Sequence, residues 1–323
     1  MDVLCVGMYR ACSTWQYEVI AHLLERHRDG RRLGYLTGDQ YAALGPAEPG
    51  AWRVLKSHEE HGSFARALAQ GRAVAVYAHR DIRDVVYSLM HKRQASFDDI
   101  LRAGMIHQIL ANDRFWSGRP GSITQRYDRL IAEPAAGVAE LAAHLGLDLA
   151  PGEADRVAAE YSFQANRKRA EDLGRKLQDG GIDLADPAIA QAHDHRTLLH
   201  WNHLREGRVG DWRGRATPRE RAVLDRICGR WLMAHGYEPD DTAGLAGVGP
   251  AGAIARGALA CRLRTLSLRY PRTARVAKRI LGIAPDAPLA PKAPIPDGAR
   301  RDDAEGPAVP PPHAGAGAVS RPR

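Results

Sequence analysis

Residues Val3-Leu4-Cys5-Val6-Gly7-Met8-Tyr9-Arg10-Ala11-Cys12-Ser13-Thr14-Trp15 decide how this chain is read. Val3 to Val6 is a short apolar run with two β-branched residues, closed by Gly7, and predicts a strand. Trp15, Val19, Leu23 and Leu24 stand at helical spacing behind Ser13, a candidate N-cap, and predict a helix from Ser13 to about Arg28. A strand that delivers a loop onto a helix N-terminus makes an anion site. Free backbone N–H groups and the positive end of the helix dipole converge there. Arg10 adds a fixed charge to the loop, and Ser13 and Thr14 add hydroxyl donors. An ordinary βα unit with a serine cap fits the same residues, so the rest of the chain has to choose.

Working outward, a short strand is expected near Leu33–Leu36, and Ala51–His58 reads as a strand with a polar end. Ser63 can cap a helix over Phe64–Gln70. Ala73–Ala78 is almost unbroken apolar, as in a parallel sheet covered on both faces. It runs into His79-Arg80-Asp81 and a helix to about Lys92. A helix over Phe97–Trp116, a strand over Gly121–Arg126 and a helix over Leu130–Leu145 follow. Alternation of this kind argues an α/β, three-layer sandwich with a central parallel sheet. Ligands of such sheets sit outside the carboxyl ends of the strands. The polar residues after each strand therefore form one candidate set. Beyond Pro151 the pattern turns helical: Lys168–Arg205 reads as a polar, mobile cover, and Arg219–His235 as the last strong helix.

Four segments carry the functional reading: Tyr9-Arg10-Ala11-Cys12-Ser13-Thr14-Trp15, Leu55-Lys56-Ser57-His58, Tyr77 to Ser88 with Arg80 and Ser88 eight apart, and Leu204-Arg205-Glu206-Gly207-Arg208-Val209-Gly210-Asp211-Trp212-Arg213. In this order they resemble the signature of sulfotransferases that use 3′-phosphoadenosine 5′-phosphosulfate (PAPS). The first is similar to that family's 5′-phosphosulfate loop, P-K-S-G-T-T-W, and the second to its K-T-H motif. The third resembles its 3′-phosphate motif, the fourth its R-K-G-x-x-G-D-W-K motif. Tyr127-Asp128-Arg129-Leu130 and Ser162-Phe163 also resemble family segments. The resemblance spans roughly residues 1 to 235 and implies a P-loop-like sulfotransferase fold with PAPS as co-substrate and no metal.

It also implies roles. Arg10, Ala11, Cys12, Ser13 and Thr14 would take the phosphosulfate end, and Arg80 with Ser88 the 3′-phosphate, with Arg205, Glu206 and Gly207 closing over it. Trp15, Tyr127 and Phe163 would line the adenine pocket, although spacing alone equally fits core aromatics. His58 would be the general base toward an acceptor hydroxyl or, less readily, an amine, since an imidazole titrates near neutral pH. Lys56, two residues back on the same side of a strand, would stabilise developing charge. Glu59 and Glu60 are rival bases. Strand alternation disfavours Glu59 and leaves Glu60 open. Two departures from the family stand out. Arg10 replaces its Lys, and Cys12 replaces a Gly that a tight turn would favour.

Bulk composition bounds the alternatives. The 323 residues allow one large domain or two small ones, and 44% hydrophobic content supplies a core. Apolar runs fall short of the roughly 20 residues of a membrane span, and the chain opens on a strand with no signal sequence visible. Cys5, Cys12, Cys228 and Cys261 show neither metal spacing nor a disulfide framework, which suits a cytoplasmic setting. Net charge is +8, but residues 242–323 hold 13 of the 46 basic and only 5 of the 38 acidic residues, so 1–241 balances at zero. The basic excess belongs to the tail and does not point the globular part toward nucleic acid.

The expected organisation is a sulfotransferase domain over 1–241 and a basic Ala/Gly/Pro/Arg-rich tail over 242–323, helical in part of 254–283 and otherwise disordered. Arg256–Arg279 would suit an anionic lipid surface. Peripheral contact with the inner membrane face, or a non-catalytic membrane- or polyanion-binding protein, is thus a second reading beside a solvated extension. A P-loop-like small-molecule kinase is a third. It needs G-x-x-x-x-G-K-[ST], whereas this loop has no Gly between Met8 and Trp15 and no Lys. The stretches expected to shape an acceptor pocket, 31–50, 96–116 and 168–203, are polar and His-rich. They tilt toward a sugar, glycan or other polar small molecule. Oligomeric state is not legible.

Overall fold

Five short segments form one wholly parallel sheet: β1 (Asp2–Gly7), β2 (Asp29–Tyr35), β3 (Ala51–Ser57), β4 (Ala73–His79) and β5 (Ser122–Arg126), in the order β2-β3-β1-β4-β5. This computed structural model describes residues 1–186, 189, 192–202, 204, 207–238, 240 and 251–269. The central strand shows why three layers form. Val3 and Cys5 enter one core with α1 (Ser13–His27), α8 (Pro134–His144) and α9 (Glu153–Glu160). Leu4 and Val6 enter the opposite core with Tyr41 of α2 (Gly38–Ala43), Phe64 of α3 (Gly62–Ala69) and Trp116 of α6 (Met105–Trp116). Alternate side chains of one strand thus seal both faces.

A third core joins α4 (Ile82–Arg93), α5 (Phe97–Arg102) and α6 to α11 (Pro218–Ala234). The remaining helices are α7 (Tyr127–Ala132), α10 (Phe163–Asp179) and α12 (Ala251–Arg269). The three-layer parallel architecture agrees with the sequence reading.

Several local expectations change. Cys12, not Ser13, is the N-cap of α1, and His61, not Ser63, caps α3 by accepting from the Ser63 N–H. The strand near Leu33–Leu36 is longer and starts at Asp29. The helix expected over Phe97–Trp116 is two, divided at Gly104 with φ +70°. The helix expected over Leu130–Leu145 is α7 and α8, divided before Pro134, whose missing N–H suits the first turn of a new helix. Part of the expected mobile cover is the regular helix α10, followed by an antiparallel bridge between His193 and His200.

The largest change concerns the tail. Within the expected tail, helix α12 runs over Ala251–Arg269 and packs on α5 and α6. The rest of the expected tail, 242–250 and 270–323, lies outside the described residues. Among the described residues no helix is long and apolar enough to cross a membrane.

Candidate active site

The site forms where β1, β3 and β4 end. Gly7 lets β1 turn sharply, since an added Cβ would lie 3.1 Å from the Ala78 carbonyl oxygen and 3.3 Å from Ser13 Cβ. In the loop that follows, Arg10 and Cys12 hold left-handed backbone, φ 63° and 69°. For residues bearing a Cβ this costs about 1–2 kcal/mol each. Cys12 makes no side-chain cap bond. No cap side chain therefore competes for the first-turn N–H groups of α1.

The loop is tied to the third motif. Arg10 Nε donates to Ser88 Oγ at 2.9 Å across 78 residues. Arg80 Nη1 reaches the Arg10 carbonyl at 3.4 Å, and Nη2 donates to the Arg208 carbonyl at 2.8 Å. Arg80 also lies 3.4 Å from Asp84 Oδ2 and 4.1 Å over the Tyr127 ring. Its Nε is buried and has no partner among the described residues. An unmet buried donor costs about 1–3 kcal/mol, and an anionic oxygen would satisfy it.

The fourth motif is anchored to the same place. Asp84 accepts from the Gly210 N–H at 2.8 Å and the Trp212 N–H at 3.1 Å. Tyr127 Oη donates to the Gly207 carbonyl at 3.3 Å. Gly207 has φ +67°, and a Cβ there would come within 3.0 Å of the Phe163 ring. Glycine suits both the positive φ and the close approach, where a Cβ would press on the ring. Tyr127, Phe163 and Gly207 therefore meet beside Arg80. Trp15 is half-buried and lies against Gly137 of α8. Arg205 and Glu206 lie outside the described residues.

On the other flank, β3 delivers Lys56 and His58. Lys56 is buried and donates from Nζ to Thr14 Oγ1 at 2.5 Å. His58 Nδ1 lies 2.9 Å from the Gly7 carbonyl. A carbonyl only accepts, so Nδ1 carries the hydrogen and Nε2 holds the lone pair of the neutral ring. The ring sits between Tyr9 at 5.0 Å and Tyr35 at 6.2 Å, centroid to centroid. Burial raises both phenols and keeps them neutral. The rival carboxylates are engaged elsewhere. Glu59 accepts from the Gly38 N–H at 2.7 Å, and Glu60 accepts from Gln108 Nε2 at 2.6 Å. Burial raises Glu60, with the Gln108 bond opposing it.

Sequence reading missed Asp84, Lys92, Gln108 and Asn112. Asp84 and Lys92 stand four residues after Arg80 and Ser88, so helical spacing placed both in reach. Lys92 bonds Asn202 and is brought down to about 7 by burial and then by Arg10. Gln108 and Asn112 left no local signal, because the break at Gly104 that aims α6 depends on a distant helix.

A cavity of about 650 Å³ runs along β2, lined by Arg31–Tyr35, Tyr17, Glu25, His193, His195, Arg196 and Leu198. It does not include Arg10, Lys56 or Arg80, and it meets the site through Tyr35. Among the described residues no group of three His, Cys, Asp or Glu could hold a metal ion.

Residues 120–236 match the family model for the sulfotransferase domain, a little over a third of the chain. No curated protein matches the chain significantly by sequence. Among solved structures, mouse sulfotransferase SULT7A1 complexed with PAP aligns at 17% identity and TM-score 0.52, covering 72% of this chain and 84% of that one. A retinol dehydratase in a complex with retinol and PAP aligns at 18% identity and TM-score 0.50, covering 72% and 81%. These likenesses show a shared fold.

Proposed function

We propose, for a chain that carries a sulfotransferase domain in the sulfotransferase fold, transfer of a sulfonate group from PAPS to the hydroxyl of a polar acceptor. The observation that carries this reading is the Arg10–Ser88 bond. It brings the first and third motifs to one place, with Arg80 beside them. Three further features support a bis-phosphorylated adenine nucleotide there: the unmet Arg80 Nε, the close backbone approach at Gly207, and the aromatic pair Tyr127 and Phe163.

The residues divide the work as follows. Arg80 and Ser88 hold the 3′-phosphate, with Gly207 and the outlying Arg205 and Glu206 covering it. The Arg10–Thr14 loop and the start of α1 hold the 5′ end. Tyr127 and Phe163 flank the base, and Trp15 closes its far side. When bound, PAPS supplies an activated sulfonate suited to in-line displacement with a loose transition state, where positioning and charge supply most of the catalysis. Lys56, oriented by Thr14, stabilises charge on the transferred group, and Arg10 does so on the leaving oxygen.

His58 Nε2 takes the acceptor proton, while the Gly7 carbonyl fixes the ring through Nδ1. Glu60 is the weaker candidate base because Gln108 holds it. The cavity along β2 draws its lining from two of the three stretches expected to meet acceptor, and its Arg, His and Tyr residues favour a sugar or other polar molecule.

The direct test is calorimetric titration with adenosine 3′,5′-bisphosphate (PAP), followed by a PAPS-dependent screen of sugars, phenols and lipids read by mass. Binding of PAP and an 80-dalton gain on a polar acceptor, about the mass of one sulfonate transferred in the displacement, are expected. A chain that ignores PAP would end the proposal.

A further inference from the structure

Helix α12 lies beyond the residues the family model matches, yet it is built closely into the fold. A Cβ on Gly104 would come within 2.4 Å of the Gly257 carbonyl oxygen, and one on Gly257 within 2.4 Å of the Leu101 carbonyl oxygen. The two backbones can approach this closely only because neither residue has a side chain. Cys261 and Leu263 are buried at the contact. Arg264 Nη2 donates to the Ala103 carbonyl at 3.1 Å, placing a cation at the negative end of α5.

From this contact a chain of bonds leads into the site. Cys261 Sγ faces Gln108 Oε1 at 3.9 Å, and Gln108 Nε2 donates to Glu60 at 2.6 Å. One turn further along α6, the buried Asn112 donates to the His58 carbonyl at 2.9 Å. So α12 fixes the α5–α6 corner, and α6 grips the turn that carries His58 and Glu60. Arg264 also adds positive charge on the side of Tyr9, whose ring flanks His58.

We propose that α12 is a positioning element of the active site, setting the placement of His58 through α6 by way of Gln108 and Asn112. The consequence for function rests on His58 being the base of a sulfotransferase.

The test uses the full chain saturated with PAP. The imidazole C–H signals of His58 are followed by NMR in wild type, Gly257→Leu, Gln108→Leu and the double variant. Labelling of Cys261 reports undocking of α12. Gly257→Leu should expose Cys261 and displace the His58 signal, and Gln108→Leu should displace it with α12 still docked. The double variant should move it by less than the sum of the two single changes, because both act in part through Gln108. The signal of His79, buried against Trp231 and His235, should stay in place. PAP affinity should remain within about twofold throughout.

An exposed Cys261 with an unmoved His58 signal overturns the proposal, as does full additivity in the double variant. If Gly257→Leu does not fold, Arg264→Gln replaces it. The His58 signal should then shift and return in Arg264→Lys, and an unmoved signal in Arg264→Gln again overturns it. Failure of wild type to bind PAP removes the sulfotransferase reading instead. It leaves the coupling of α12 to His58 to be judged on the NMR signal in the unsaturated chain.

Discussion

Arginines stand at both ends of the central sheet, and the two ends treat them differently. At the amino end Arg53 donates to both oxygens of Asp2, at 2.7 and 2.9 Å, and to the Gly45 carbonyl at 2.9 Å. Tyr41 Oη completes Asp2 at 2.7 Å, and that carboxylate is 1% exposed. At the carboxyl end Arg10 leans on the neutral hydroxyl of Ser88, and Arg80 keeps a buried Nε without a partner among the described residues. Its carboxylate neighbour among the described residues, Asp84, is shared with two backbone amides. A cluster that completes its own charge has a structural task. A cluster that keeps a buried guanidinium N–H unmet has room for an anion from outside.

Substitutions can break this contrast or sharpen it. The largest effect is expected from His58→Ala, which should lower sulfonate transfer by roughly 10²–10⁴ in turnover while PAP affinity by calorimetry holds. Undiminished turnover would remove His58 as base. Next, Asp2→Ala should cost about 3–5 kcal/mol of stability in urea unfolding, because it strands a largely buried guanidinium, and leave PAP affinity unchanged in the folded protein. A loss of affinity in step with stability would erase the difference between the ends. Arg80→Ala should shift the weight the other way, weakening PAP about tenfold to a hundredfold, since a charge-assisted bond is worth about 1.5–3 kcal/mol, with a smaller loss of stability than Asp2→Ala because two backbone amides still hold Asp84.

The smallest effect concerns Lys92, which burial and Arg10 bring down to about 7. A bound phosphate favours the charged amine, so binding takes up a proton. PAP affinity should be highest below about 7 and decline as pH rises through the window above that value. Lys92→Met should flatten the decline, a change of a few-fold. An identical slope in the variant would assign the titration to another group.

How much of this was legible depended on how local each cause was. β1 and β4 announced themselves as apolar runs and β3 as a strand with a polar end, and the polar residues there identified the site end of the sheet. Cap positions were less legible. Ser13 has the right chemistry, but the left-handed Cys12 takes the cap position one residue earlier. Gly104 was invisible as a helix break because its reason is Gly257, far along the chain. The same blindness hid the docking of α12, whose Ala/Gly/Arg composition reads in sequence like a solvated extension. The grip of Gln108 and Asn112 on the His58 turn follows from that docking and was hidden with it.

The left-handed backbone at Arg10 and Cys12 has a consequence for how a ligand is met. A loop ordinarily surrenders freedom at the encounter, and the complex is weaker by that amount. Here part of the surrender is made during folding, since two side-chain-bearing residues are already held in a sparsely populated conformation. Cys12→Gly would relax the backbone and widen the shapes available to it. The cysteine, where the motif it resembles has glycine, therefore makes the loop a stiffer receptor: slower to adapt to an unusual nucleotide, and readier for the one it fits.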